Sequence, residues 1–119
     1  MKGNLVLAVV FLALAGCAPA QLYDWGSYEG GLYGYYKAPA SQDKFVESLA
    51  EGLTKAEKNG KVPPGLYAEY GYFLLSAGKN ADAVRYFDKE QAKWPESRIF
   101  MQVLLKDAQQ AQANPSEAK

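Results

Sequence analysis

The side chains that could do chemistry in this chain are carboxylates, hydroxyls and a single thiol. The 119 residues include one cysteine, Cys17, and no histidine. The absence of histidine excludes Ser-His and Cys-His nucleophile pairs, and the common zinc sites are excluded as well. A carboxylate pair for glycan cleavage stays formally open, with Glu69 beside Asp82 or Glu90. Each of these carboxylates is more typical of the solvated face of a helix, so we expect no enzyme, no cofactor and no metal.

The thiol of Cys17 lies in a context that indicates lipidation. A basic start at Lys2 is followed by an apolar stretch from Leu5 to Leu14, a layout typical of signal peptides and too short to span a bilayer. Leu14-Ala15-Gly16-Cys17 resembles a bacterial lipobox, in which the cysteine receives fatty-acyl chains such as palmitate and becomes the first mature residue. We predict a cleaved lipoprotein signal peptide over residues 1–16 and a covalent lipid on Cys17. A buried helix with an incidental cysteine is the alternative.

The residue after the cysteine indicates which membrane would hold the lipoprotein. Ala18 stands where an aspartate commonly retains Gram-negative lipoproteins in the inner membrane, so we expect an outer-membrane protein that faces the periplasm. We predict a lipidated tether over residues 17–22, one helical domain over 23–112 and a disordered tail over 113–119. Acidic and basic side chains nearly balance, which predicts no nucleic-acid partner and no polybasic patch for a membrane surface.

An internal repeat indicates the architecture. Gly31-Leu32-Tyr33-Gly34-Tyr35-Tyr36 recurs as Gly65-Leu66-Tyr67-Ala68-Glu69-Tyr70, an offset of 34 residues. This is the tetratricopeptide period, and residues 64–97 resemble such a repeat. The matching small, apolar, aromatic and terminating residues are Tyr70, Gly71, Leu74, Ala83, Phe87 and Pro95. The departures are Glu90, where alanine is preferred, and Tyr67 in place of tryptophan.

The periodicity predicts an all-α fold of about five helices, forming two and a half tetratricopeptide-like antiparallel hairpins. The first helix is predicted over 25–37, and the second over 42–58 with Ser41 as its N-cap. The hairpin that follows is bounded by Pro63-Pro64-Gly65, Gly78-Lys79-Asn80 and Trp94-Pro95. A fifth helix, over 96–110, is predicted to cover the open end of the last hairpin.

The repeat pattern also suggests binding positions. In tetratricopeptide repeats the first helix of each hairpin lines the concave face, and this resemblance implies Ala68, Tyr72 and Leu75 as groove residues. We expect Tyr72 to contact a partner and Tyr70 to point inward. The alternative is that Tyr72 is an ordinary core ring.

Aromatic residues concentrate near the start of the predicted domain. The stretch from Leu22 to Tyr36 holds Trp25 and five of the nine tyrosines, and Trp25, Tyr28 and Tyr33 are further candidate binding residues. These rings could fill the small core, lie at the membrane interface or contact another envelope protein. The sequence leaves all three interpretations open.

The segments 23–29, 32–37 and 62–72 resemble a family of small bacterial lipoproteins known only as a domain of unknown function. Its members are typically encoded beside an outer-membrane lipoprotein similar to the curli secretion channel component CsgG, which implies a shared envelope complex. The leading hypothesis is therefore a non-enzymatic adaptor or assembly factor for a CsgG-like channel. The alternative is a structural envelope lipoprotein that contacts peptidoglycan or membrane without a dedicated channel partner, and a periplasmic hydrolase ranks last.

Overall fold

A computed structural model describes residues 20–113 of the chain. This range contains five α-helices, two short 3-10 turns and no strand, so the predicted all-α hairpin fold is confirmed. The helices are α1 (Tyr28–Lys37), α2 (Gln42–Lys58), α3 (Leu66–Ser76), α4 (Asn80–Lys93) and α5 (Arg98–Ala113). The predicted signal peptide, the lipidation site at Cys17 and residues 114–119 of the predicted tail lie outside the described residues.

The helix boundaries follow local backbone chemistry. Helix α2 has the predicted bounds, but Ser41 does not cap it with its side chain; its Oγ donates a hydrogen bond to the carbonyl of Ala38 at 2.7 Å. Helix α1 begins at Tyr28, later than predicted, because Gly26 turns the chain with a φ of +52°. Helix α5 begins after a 3-10 turn at Pro95–Ser97 and includes Ala113, which was predicted to start the tail.

Short turns and close helix packing form the hairpins. The turn between α3 and α4 includes Gly78 at a φ of +73°, a conformation that favours glycine. The most extensive helix contacts are α3 with α4 and α4 with α5. Gly71 permits the approach of α4, since a Cβ there would lie 2.7 Å from Phe87 Cε1. The predicted role of Gly71 as the small residue of the hairpin therefore matches the structure.

The core consists of two apolar clusters along the stack. The first joins α2 to the start of α3 and the second joins α3, α4 and α5; Tyr70 and Tyr86 pack against both. These two rings meet edge to face, with centroids 4.7 Å apart. The buried members of the first cluster are Leu49, Leu53, Ala56, Val62, Leu66 and Tyr67. Those of the second are Leu74, Ala83, Phe87, Met101, Leu104 and Ala108.

The segment before α1 is held against the ends of other elements. The backbone N–H of Asp24 donates to the carbonyl of Lys61 at 2.8 Å, and the Asp24 carboxylate accepts a hydrogen bond from Asn59 at 3.1 Å. The ring of Tyr23 meets that of Trp94 edge to face at 5.7 Å. This segment therefore ties the C-terminal end of α2 to that of α4. No helix within residues 20–113 has the length and apolar character needed to cross a membrane.

Candidate protein-binding face

Large apolar side chains are exposed on only one helix of each hairpin. Within the helices described by the structure, all of them lie on α1, α3 and α5, and none lies on α2 or α4. They are Leu32, Tyr33 and Tyr36 of α1, Tyr72 of α3, and Ile99, Phe100 and Val103 of α5. We call these seven side chains the first-helix face.

The apolar stripes explain this segregation. In α2 the residues spaced three and four apart, Phe45, Leu49, Leu53 and Ala56, are all buried, so its apolar residues are used within the core. Helix α5 instead has two apolar stripes. Met101, Leu104 and Ala108 are buried against the second cluster, whereas Ile99, Phe100 and Val103 are 82%, 61% and 54% exposed. Helix α5 therefore does more than cover the end of the last hairpin, because its second apolar stripe is exposed.

A groove between α3 and α5 contains the predicted residue Tyr72. It has a volume of about 360 Å³, and its exposed wall is almost wholly apolar. The lining residues from α3 and the position before it are Gly65, Ala68, Glu69 and Tyr72, and those from α4, α5 and their connection are Glu90, Ser97, Phe100, Met101 and Leu104. The ring of Tyr72 is 55% exposed. Tyr70 is half-buried, in agreement with the expected inward position.

The structure brings together only part of the predicted site. Ala68 and Tyr72 line the groove, whereas Leu75 is half-buried against the second cluster and does not line it. Phe100 lines the groove but is not among the positions that the repeat pattern predicts for it. The signal for it was available, because Ile99, Phe100, Met101, Val103 and Leu104 are too many apolar residues for a single buried stripe.

The aromatic residues near α1 divide into inward and outward groups. Tyr28 is half-buried and meets Phe45 at 6.0 Å and Trp25 at 5.3 Å between ring centroids. Tyr35 stacks on Phe45 with an interplanar angle of 6°. By contrast, Tyr33 is 63% exposed. The first of the three interpretations, core filling, thus describes the inward group only.

Helix α1 is linked to the groove through one carboxylate. Burial, followed by the hydrogen bond and charge of Glu69, raises the pKa of the Tyr28 hydroxyl to about 12. Glu69 also lines the groove between α3 and α5. The Tyr28 hydroxyl therefore lies near a residue of the groove wall.

Glu90 is the buried polar residue of this region. The expectation of a solvated helix charge is wrong for Glu90, since it is only 1% exposed. Its Oε1 accepts a hydrogen bond from the backbone N–H of Gly65 at 2.8 Å. Because Gly65 has no side chain to cap α3, Glu90 supplies the acceptor from α4. Burial raises the pKa of Glu90, although the N–H groups of Gly65, Ala68 and Tyr67 oppose this shift.

The carboxylates considered for catalysis have different environments. Asp82 is exposed and pairs with Arg85 at 3.0 Å. Glu69 and Glu90 both line the groove, but Glu90 is bonded to the start of α3. No group of three or more potential metal ligands occurs within residues 20–113. Because the exposed wall of the groove is almost wholly apolar, the groove is suited to binding an apolar segment between α3 and α5.

Comparison with known proteins adds a family assignment. The profile of a family described as Domain of unknown function (DUF4810) matches residues 22–104, more than half of the chain. The chain belongs to this family. No curated protein and no solved structure matches it significantly. The match covers the segment before α1, the first four helices and the half of α5 that carries Ile99, Phe100 and Val103. The predicted resemblance to a family of unknown function is thus confirmed.

Proposed function

We propose that this protein is a periplasmic lipoprotein, anchored in the outer membrane through Cys17, that acts as a non-enzymatic adaptor for a protein partner. The observation that carries the proposal is the segregation of exposed large apolar side chains onto α1, α3 and α5. Protein interfaces are enriched in aromatic residues, and their binding energy concentrates in a few of them. The anchor is supported by the lipobox-like residues that end at Cys17.

The groove between α3 and α5 is the centre of the proposed interface. Tyr72 and Phe100 are both more than half exposed and line the same apolar cleft, so a partner side chain placed there would be covered from two sides. A CsgG-like channel lipoprotein is the partner that the sequence resemblance favours. Glu69, beside Tyr28, extends this contact region towards α1.

The test is affinity purification of the tagged, lipidated protein from crosslinked outer membranes, read by mass spectrometry. We expect recovery of a CsgG-like channel with the native chain and loss of it with Cys17→Ser. Tyr72→Ala and Phe100→Ala should each weaken recovery about tenfold, the size of a moderate interface hot spot. Glu51→Ala is the matched control, because Glu51 is exposed on α2, away from the first-helix face.

Two results would contradict the proposal. Recovery of only peptidoglycan fragments or general membrane proteins would favour a structural envelope lipoprotein instead. A Tyr72→Ala variant whose thermal stability falls as much as its binding would assign this ring to the core.

A further inference from the structure

Four lysines gather at the end of the molecule where α2 and α4 finish. Lys55 and Lys61 line a shallow cleft together with Tyr23 and Asp24. Lys58 is exposed in the last turn of α2. The ammonium of Lys93 lies 5.9 Å from the centroid of the Trp94 ring, which in turn contacts Tyr23. We call this group, Lys55, Lys58, Lys61 and Lys93 with Tyr23 and Trp94, the basic end.

The basic end has a local excess of positive charge that the balanced total does not reveal, so the expectation of no basic patch for a membrane surface does not hold at this end. The carboxylate of Asp24 pairs with Lys55 at 3.4 Å, and Glu57 pairs with Lys89 at 2.7 Å. The opposite charges of Glu96 and Arg98, near the α4–α5 connection, leave the charge balance of this end unchanged. Among the described residues no ion pair involves Lys58, Lys61 or Lys93.

The chain enters the domain at this same end. The backbone of Asp24 is fixed to that of Lys61 by a 2.8 Å hydrogen bond. Six residue steps separate Cys17 from Tyr23, and each spans at most about 3.5 Å, so a lipid on Cys17 holds this end within about 20 Å of the bilayer. Leu22 directly precedes Tyr23 in this stretch, and its side chain is 76% exposed. Helix macrodipoles favour lysine near the ends of α2 and α4, but they do not explain the aromatic rings or the route of the chain.

We propose that the basic end rests on the anionic lipid headgroups of the membrane that holds the anchor, with Tyr23 and Trp94 at headgroup level. The inference rests on the proposed lipid at Cys17. Lysines near a negatively charged leaflet attract it, and amphipathic rings such as that of Tyr23 favour the interface. The indole N–H of Trp94 is buried, so this ring reports the contact and does not drive it. The turns between α1 and α2 and between α3 and α4, with Lys37 and Lys79, then lie at the end remote from the membrane.

The two tryptophans of the chain provide the assay. The lipidated Trp25→Phe protein, in which only Trp94 fluoresces, is reconstituted into vesicles with lipids brominated near the headgroup. We expect quenching of Trp94, stronger with phosphatidylglycerol present than in phosphatidylcholine alone and weaker at high salt. Each lysine at the surface contributes about a fivefold preference for the contact state, so replacing Lys58, Lys61 and Lys93 by glutamine should abolish the phosphatidylglycerol effect.

The matched control replaces Lys37 and Lys79 by glutamine, and quenching should remain unchanged. Absence of Trp94 quenching in a protein whose Cys17 lipid is verified by mass spectrometry would overturn the inference and leave the anchor intact. Equal quenching with the native lysines and with their glutamine variants would show that the tether alone brings this end close, which also overturns it. A mature chain without lipid on Cys17 would refute the proposed anchor and, with it, this inference.

Discussion

Replacing each of two helical glycines by alanine should change the stability of the domain in opposite directions. Gly71 lies in α3 and Gly52 in α2, so both would gain about 0.5–1 kcal/mol from a better helix former. At Gly52 no atom lies within 4 Å of the added Cβ. At Gly71 the Cβ would approach the Phe87 ring at 2.7 and 2.9 Å and Tyr86 Cβ at 3.3 Å.

The Phe87 ring cannot yield at low cost. It is fully buried in the second cluster, against neighbours such as Met101 at 1% exposure. Overpacking of this kind costs about 1–3 kcal/mol. After the helix gain is subtracted, Gly71→Ala should destabilise the domain by about 1 kcal/mol, whereas Gly52→Ala should stabilise it by up to about 1 kcal/mol.

Urea and thermal unfolding followed by circular dichroism measure both changes. For a domain of this size about 1 kcal/mol corresponds to 4–8 °C in Tm. The two variants should therefore lie on opposite sides of the native Tm. If Gly71→Ala were as stable as Gly52→Ala, the close approach of α3 and α4 would not exist, and the placement of Tyr72 beside the groove would lose its basis.

Three further perturbations test the core, the cap and the N-terminal segment. Burial raises the pKa of Glu90, so the native state keeps its proton to a higher pH than the unfolded chain; native stability therefore falls as pH rises above the ordinary carboxyl value of 4.5. Glu90→Gln, which still accepts from Gly65, should lose this pH dependence in urea titrations, and Glu90→Ala should cost about 2 kcal/mol because the partly buried N–H of Gly65 loses its acceptor. Leu53→Ala, at a position 2% exposed, should cost about 2–5 kcal/mol, measured by urea unfolding. Asp24→Ala should speed limited proteolysis near residues 20–27 while the global unfolding midpoint stays nearly constant, since its contacts to Asn59 and Lys55 are at the surface.

The buried face of a helix could be predicted from the sequence where the helix has only one apolar stripe. In α2 a single apolar stripe, Phe45, Leu49, Leu53 and Ala56, matched the buried residues, because most of the remaining side chains are polar. Helix α5 has apolar residues on two faces, and periodicity alone does not decide which face a neighbour covers. Only the position of α4 determines that Met101 is buried and Phe100 exposed.

Glu90 shows a second reason why local patterns were insufficient. As a polar residue in an amphipathic helix it resembles any solvated charge, and its repeat position prefers alanine. In the fold its carboxylate accepts a hydrogen bond from Gly65, a residue 25 positions earlier that leaves the start of α3 without a side-chain cap. Glu90 can accept this hydrogen bond only when α3 and α4 are packed together. The residue that departs from the repeat pattern is therefore one that makes a tertiary contact.

The basic end and the first-helix face lie on different parts of one small helical stack. The basic end lies where α2 and α4 finish, whereas the first-helix face runs along the sides of α1, α3 and α5. Contact with lipid at the basic end therefore leaves Tyr72 accessible, since it lies about two turns into α3, whereas Phe100, in the first turn of α5, lies near the basic end. A lipid on Cys17, as proposed, would keep this groove at the membrane where its proposed partner is anchored. Binding and anchoring would then reinforce each other, since a tethered domain searches for its partner at a raised effective concentration.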